Sequence, residues 1–357
     1  HEDEIMMINV REHESSHRIS KRSLRVRTGW VAAVVLTCLV SVPLEAAEDS
    51  ATLRLASDSW PPFTADEGKA RIAVELVHEA LERAGRKATS SIIDFEAVLS
   101  GLRDGTFDGS AALWRSADRE RYLLFSNPYL ENRLVLVGRK GSDVSATSLT
   151  GLGGKRVAVV GRYAYGPAAN NDVGITFVQG ASDQENLQRL LAGEADYLLV
   201  DDLLIQYVLT HQGEAASQHL EIGGNVLLRR PLHFAVRRDF AGALELMERF
   251  NEAISEMLAD GTYNEILQLD WIRADVDGDG RLELVANSSV VAPAAPKAGY
   301  NILPSNSPQE PAGMRDRYYV NGEVYETWEA VPESAKTRPT TAGDSGGVGA
   351  PVFKFKF

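Results

Sequence analysis

The sequence predicts an α/β protein in two parts. From residue 51 onward, short apolar runs of strand length alternate with stretches of helical period, and such alternation feeds a parallel sheet flanked by helices. Leu53–Ala56 is the first strand. Ile72–Ala84 follows with Val74, Leu76, Val77, Ala80 and Leu81 on one helical face, and Gly85 is placed to cap it. Glu96–Leu102 makes a second helix, Gly109–Leu113 a strand of small and apolar residues, and Leu134–Val137 a further apolar strand. The second part reads Lys155–Val160 as strand, Asp183–Ala192 as helix, Tyr197–Val200 as strand and Leu203–Leu209 as helix, before the strand Leu232–Val236. No repeat of solenoid period interrupts this order.

The N-terminal region has a different composition. Arg18, Lys21, Arg22, Arg25 and Arg27 precede an uncharged run from Trp30 to Val42, and the small residues Ala46 and Ala47 follow. This tripartite pattern predicts a secretory signal peptide, so residues 1–47 read as an extension and leader. The apolar run is short of the roughly 20 residues that cross a bilayer. The single cysteine, Cys38, lies in that run, where Val35-Leu36-Thr37 is a poor lipidation signal. Cleavage would leave an exported chain without disulfides. Residues 1–47 carry as many basic as acidic side chains, so the remainder keeps the net charge of −13. An acidic chain is a poor match for nucleic-acid phosphates, which need a basic face.

The stretch Phe107–Lys140, FDGSAALWRSADRERYLLFSNPYLENRLVLVGRK, carries the most functional information. It sets Trp114, Arg115, Ser116 and Arg119 in the turn and helix start after a short apolar strand, and strand-end loops of open α/β sheets are where small ligands sit. Three further segments accompany it in order: ASDSWPPF (Ala56–Phe63), ADYLLVDD (Ala195–Asp202) and LADGTYNEILQLDW (Leu258–Trp271). Together they resemble the periplasmic solute-binding proteins of family 3, the amino-acid type of ABC transporter, over about residues 51–272. The resemblance implies a type II periplasmic-binding fold with two lobes joined by a two-stranded hinge, and here a C-terminal extension as well. Its implied boundaries are 48–137 for the first part of lobe 1, 138–232 for lobe 2 and 233–274 for the return, with Leu258–Trp271 as a terminal helix.

An amino acid's carboxylate calls for the planar donor fork of a guanidinium, and its ammonium calls for a carboxylate. The resemblance implies Arg119 for the first, Asp201 for the second and Ser116 as a supporting hydroxyl. Asp202 stands beside Asp201, and either acid suits an N-cap of the Leu203 helix instead. Trp60 takes the place of a stacking aromatic, with Phe63 behind it as pocket wall or packing. The loop GRYAYG places Tyr163 and Tyr165 between glycines after a strand, where backbone amides can hold an anion.

Departures from the pattern bear on specificity. Trp114 replaces a small hydroxyl residue, Ala112 replaces a glycine, and Ser57 with Asp58 one place along replaces the first-loop acid. An indole in that position changes the volume and polarity of the pocket, so amino acids, amines and small carboxylates all stay open as ligands. The expected function is non-enzymatic capture of such a solute in the periplasm for an ABC permease, with no cofactor required. Two alternatives are an enzyme on the same fold, of the cyclohexadienyl dehydratase kind, and a ligand-sensing module. The enzyme needs an acid or base facing the ligand, and the GRYAYG loop supplies no carboxylate.

After the terminal helix, DVDGDGRLE sets Asp275, Asp277, Asp279 and Glu283 at alternating and terminal positions around Gly278 and Gly280. Hard oxygen ligands converging in a glycine-permitted turn predict a structural Ca2+ loop over residues 275–284, with the Arg281 carbonyl as a fifth ligand. Ala286 stands where an EF-hand places its bidentate acid, which favours a nine-residue loop. Residues 285–335 read as linker and hairpin. Within them RYYVNGEVYETW (Arg317–Trp328) is the hairpin, with Asn321-Gly322 suited to a type I′ turn. Residues 336–357 are rich in Gly, Thr and Ser and read as a disordered tail.

Overall fold

The computed structural model of this protein describes residues 52–169, 174–267, 271–286, 300–301 and 317–336. The leader predicted over residues 1–47, most of the predicted linker and the tail beyond Lys336 lie outside the described residues.

Lobe 1 opens with β1 (Leu53–Ser57), α1 (Ile72–Arg83), β2 (Ala88–Ile92), α2 (Phe95–Asp104), β3 (Gly109–Trp114) and β4 (Leu123–Phe125). The long β5 (Leu130–Arg139) carries the chain into lobe 2, which holds β6 (Arg156–Val160), β7 (Thr176–Gly180), α3 (Asp183–Leu191), β8 (Tyr197–Asp201) and α4 (Asp202–His219). The return strand β9 (Leu220–Arg237) then leads to α5 (Ala243–Asp260) and α6 (Thr262–Leu267) of lobe 1. α1 ends as its glycine demands: Gly85 takes φ 75°, a left-handed cap that a side chain would strain.

One sheet runs through both lobes in the order β2-β1-β3-β9-β5-β8-β6-β7, with β4 also on β9. Its wings are parallel, β1 with β2 and β3, and β6 with β7 and β8. Its middle is the antiparallel pair β5 and β9, in register from Leu130 opposite Leu232 to Arg139 opposite Leu220. These two strands are the hinge, and the register slips between Leu134 and Val137, where bulges add local twist. Both extend well beyond the apolar cores legible in the sequence, because Asn132, Arg133, Arg229 and Arg230 interrupt those runs at the crossing. β2 and β7 are outer strands of polar composition with alternating or partial burial, which is why no apolar run announces them.

The terminal helix expected over Leu258–Trp271 divides. α5 stops at Asp260, Gly261 adopts φ 86°, α6 is a separate short helix, and Trp271 opens a strand. That strand, β10 (Trp271–Ala274), belongs to a second sheet with β11 (Glu283–Ala286), β12 (Tyr300–Asn301), β13 (Arg317–Val320) and β14 (Glu323–Tyr325), ordered β12-β10-β11-β13-β14. The hairpin therefore docks through β13, which lies parallel to β11. Its turn has both centres at positive φ, Asn321 at 51° and Gly322 at 87°, as type I′ requires. Trp271, Leu284, Val320, Trp328 and Val331 form this sheet's own core, closed by the short α7 (Glu333–Lys336). On its other side Ile272, Ala274 and Val285 join the main core, and Asn264 Nδ2 donates to the Val285 carbonyl at 3.0 Å.

Candidate functional site

The loops at the carboxyl ends of β1, β3 and β6 meet where the lobes face each other. After β1 the chain closes a tight turn: Trp60 N–H donates to the Thr64 carbonyl at 2.8 Å, Thr64 N–H donates back at 3.0 Å, and the Thr64 hydroxyl donates to the Asp58 carbonyl at 2.6 Å. The turn faces the Trp60 indole inward against Phe63, ring centres 4.4 Å apart. Phe63 itself is fully buried, so it is packing behind the site.

Trp114 completes β3 instead of entering the turn after it, and only a single 3-10 turn, Arg119–Arg121, follows. Every residue of β3 is buried, and the Trp114 indole N–H donates to Asn132 Oδ1 at 2.7 Å, which ties the last residue of the strand to β5. The ring packs edge-on to Trp60, Tyr163 and Tyr165 at 5.8, 5.2 and 5.3 Å.

Arg119 is 4% exposed. Its Nη1 donates to the Trp114 carbonyl at 2.6 Å, its Nη2 to the Arg162 carbonyl of lobe 2 at 3.0 Å, and the guanidinium lies 5.3 Å from the centre of the Phe95 ring. No carboxylate among the described residues forms an ion pair with it. Burial lowers its pKa, the direction expected for a desolvated cation. Ser116 supports this side chain through the backbone, its hydroxyl accepting the Arg119 N–H at 3.4 Å.

From lobe 2, the loop after β6 turns at Arg162, held at φ 66°, and delivers Tyr163 into the cleft. The Tyr163 hydroxyl donates to Asp58 Oδ2 at 2.6 Å, a contact from lobe to lobe. Tyr165 stays with its own lobe, where its hydroxyl accepts the Val160 N–H at 2.9 Å. Burial raises the pKa of both phenols. Asp58 is also pushed up by burial, against the opposing hydrogen bond from Tyr163. Among Asp58, Trp60, Phe95, Trp114, Arg119 and Tyr163 the remaining space is about 10 Å3, at the lower limit for one water. The lobes are thus closed on their own aromatic side chains.

Asp183 is the residue that sequence reasoning missed. It opens α3, and its carboxyl comes near enough to Trp60 and Asp58 of lobe 1 for both to act on its ionisation. Burial, reinforced by the nearby Asp58, pushes its pKa up to about 7. In the sequence it stands between Ser182 and Glu185, which cap the helix in the manner of a capping box: Glu185 N–H donates to Ser182 Oγ at 3.2 Å, and Glu185 Oε2 accepts the N–H of Ala181, one residue before the N-cap, at 2.7 Å. An acid in the first turn of a helix reads as dipole complement, and that masks its position in the cleft. The cleft does contain carboxyls, supplied by Asp58 and Asp183 and not by the GRYAYG loop.

Asp201 lies elsewhere. Its Oδ1 accepts the N–H groups of Leu203 and Leu204 at 2.8 and 3.4 Å, and its Oδ2 accepts Asn132 Nδ2 and the Arg133 N–H, both at 3.0 Å. It caps α4 and holds the Asn132 side chain that in turn holds Trp114, so it acts behind the aromatic wall.

A comparison of the whole chain with known families agrees with this architecture: residues 53–273 match the profile of the bacterial extracellular solute-binding proteins, family 3. The chain belongs to that family. The L-cystine-binding protein TcyJ of Escherichia coli K12 is 26% identical over 223 residues, spanning 61% of this chain and 81% of the relative. A putative ABC transporter arginine-binding protein of the same organism is 25% identical over 239 residues, spanning 65% and 96%. Among solved structures, an ancestral arginine-binding protein bound to arginine superposes with a TM-score of 0.52 at 28% identity, spanning 61% of this chain and 96% of that one. The two-lobed type II fold is that of these neighbours, and the family is one of binding proteins. The match ends at Arg273, within β10, so the acidic loop and the other strands of the second sheet are additional to it.

In that loop the carboxylates divide into two groups. Asp275, Asp277 and Glu283 bring oxygens within 4.8 Å of one another. Asp279 turns away to Arg317, which donates from Nη1 and Nη2 to its two oxygens at 2.9 Å each and also pairs with Glu283 and, at 3.4 Å, with Asp277. The expected set of Asp275, Asp277, Asp279, Glu283 and the Arg281 carbonyl is therefore not assembled as one cage. A strand remote in sequence inserts a guanidinium among the acids, and no local pattern marks Arg317. Asp275 accepts the Gly278 and Gly280 N–H groups at 2.8 and 2.9 Å, which shapes the turn. Burial raises the pKa of Glu283, against the Val276 N–H and Arg317.

Proposed function

We propose that this protein captures a small amino-acid-like or carboxylate solute between its lobes and passes it to an ABC permease outside the cytoplasmic membrane. The observation that carries the reading is Arg119: a guanidinium 4% exposed, held by two carbonyls and lacking an ion-pair partner among the described residues. A buried charge of this kind is costly until an anion reaches it, and a ligand carboxylate supplies one. Asp183 across the cleft and Asp58 beside Trp60 offer the carboxyls that a ligand ammonium needs. Tyr163 occupies the intervening space, so the solute enters by displacing it as the hinge strands open. The basic and apolar composition of residues 18–42 supports export by a signal peptide to the periplasm.

For the acidic loop, we propose that Ca2+ competes with Arg317 for Asp277 and Glu283, with Asp275 as a further oxygen donor, since such oxygens suit a hard cation.

The function is tested by a thermal-shift and calorimetric screen of the chain against amino acids, amines and carboxylates, since a ligand bound only by the folded state raises its melting temperature. Arg119→Ala should abolish binding of the hit while the protein stays folded, a loss of about 2–5 kcal/mol. Arg119→Lys should fail nearly as badly, for want of the planar fork. Unchanged affinity in either variant removes Arg119 from the site.

A further inference from the structure

A second and larger cavity, of about 500 Å3, adjoins the filled aromatic pocket and shares Tyr163 and Ala164 with it. Its size falls within the range of roughly 300–1,000 Å3 usual for small-molecule sites. Three arginines line it, Arg115 from lobe 1, Arg162 from lobe 2 and Arg230 from the hinge strand β9, and among the described residues no aspartate or glutamate does. In a chain of net charge −13 that sign is unexpected.

The three arginines differ in how their charge is met. Arg115 pairs with Glu120, and Arg162 pairs with Glu96 at 3.1 Å, both at exposed rims. Arg230 has no ion pair among the described residues. Its Nη2 donates only to the Arg115 carbonyl at 3.2 Å, its guanidinium lies 5.7 Å from the centre of the Trp114 ring, and its Nε is buried without a hydrogen-bond partner. Burial lowers its pKa, with no carboxylate acting against the shift. Arg119, on the other contact of Trp114, is lowered further by the charge of Arg230. Gly166, at φ 87°, gives Arg230 its room, since a Cβ there would stand 3.0 Å from Nη1. A desolvated donor left without a partner and two like charges in one cleft are both costly, and a single anion between them relieves both.

We propose that this cavity is an anion-binding compartment of the solute site, taking a second carboxylate of the ligand, so that the solute class is an amino acid with two carboxylates and not a cationic or neutral one. The proposal rests on the solute-binding reading and adds the ligand's charge to it. Ser116 and Gln179 line the same cavity and supply it with neutral polar groups.

The test measures binding of L-glutamate and L-cystine, each with two carboxylates, against L-glutamine and L-arginine, by calorimetry on the purified chain. The two-carboxylate ligands should bind, Arg230→Gln should weaken them at least about tenfold, and Arg230→Lys should recover part of that loss. Because Arg230 sits in a hinge strand, Gln179→Glu gives an independent check: it alters an exposed residue of β7 and places a negative charge in the lining, and should also weaken both ligands. Arg121→Gln, 81% exposed and outside the cavity, should leave affinity unchanged. Binding of L-arginine or L-glutamine without the two-carboxylate ligands overturns the proposal and leaves the solute-binding function standing. Binding of the two-carboxylate ligands that neither Arg230→Gln nor Gln179→Glu disturbs overturns the cavity assignment. Binding of none of the four, nor of any compound in the wider screen, overturns the inference and the function together.

Discussion

The interlobe cleft and the acidic loop of the second sheet both concentrate charge, and they treat it in opposite ways. In the loop, a buried glutamate and two aspartates are met by the chain's own guanidinium, Arg317. In the cleft, Arg119 and Arg230 are desolvated with no acid to pair them among the described residues, and Asp183 is desolvated enough to keep its proton near neutrality. The difference separates structure from function on physical grounds. Charge neutralised within the chain stabilises the fold, whereas charge left unneutralised awaits a partner from outside.

The largest effect that would break this comparison is on stability in the loop. Arg317→Ala leaves Glu283, fully buried, without its counter-ion, and removing one member of a buried pair costs about 3–5 kcal/mol. Ligand affinity should not change, because the loop lies beyond the residues of the cleft. Millimolar Ca2+ should raise the melting temperature of Arg317→Ala more than that of the parent protein, since the cation then has no guanidinium to displace. Equal melting curves with and without calcium in both proteins would reduce the loop to an ion-paired turn.

The cleft should respond oppositely when its cation is removed. Arg119→Met replaces an uncompensated charge by an apolar side chain of similar length, so melting without ligand should stay within about 1 kcal/mol of the parent or rise. A destabilisation as large as that of Arg317→Ala would show that Arg119 is a structural arginine, and the contrast would disappear.

A smaller effect is the pH dependence of Asp183. Its carboxyl is raised from the ordinary range near 4 to about 7 in the closed form, which therefore binds a proton that the unfolded chain releases. The stabilisation from that proton is present at low pH and fades as pH rises through about 7. A ligand ammonium needs the ionised carboxylate, so affinity should climb over the same window, by at most about tenfold per pH unit. Asp58 faces the same space, is also raised by burial and acts with the same sign, while Arg119 opposes the rise of Asp58. Asp183→Asn should flatten most of the slope. An affinity independent of pH between about 5.5 and 8 in the parent protein would place Asp183 out of contact with the ligand.

The comparison also explains what could be read in advance. Arg119, Trp60, Trp114, Asp58 and Tyr163 stand at the ends of recognisable strands, and such ends converge in an α/β sheet, so sequence order predicts their meeting. Asp183 carries its signal inside a capping box that has a sufficient local explanation. Arg230 and Arg317 carry none, because each acts on residues far away in the chain: Arg230 lies over Trp114 and Arg317 among Asp277, Asp279 and Glu283. Asp201 sits beside the right strand, yet four N–H groups already surround it, and only coordinates reveal which of two adjacent acids turns inward as a cap.

By itself the sequence determined the alternation of strands and helices, the Gly85 cap, the Asn321-Gly322 turn and the family pattern, all of which follow from local backbone preference or from residues close in the chain. The tertiary structure decided the rest: that β5 and β9 run through a polar crossing, that Tyr163 fills the cleft against Asp58, and that one acidic cluster receives an arginine while two arginines in the cleft form no ion pair among the described residues. Burial and charge pairing depend on which distant segments the fold brings within a few ångströms, and no local pattern encodes that distance.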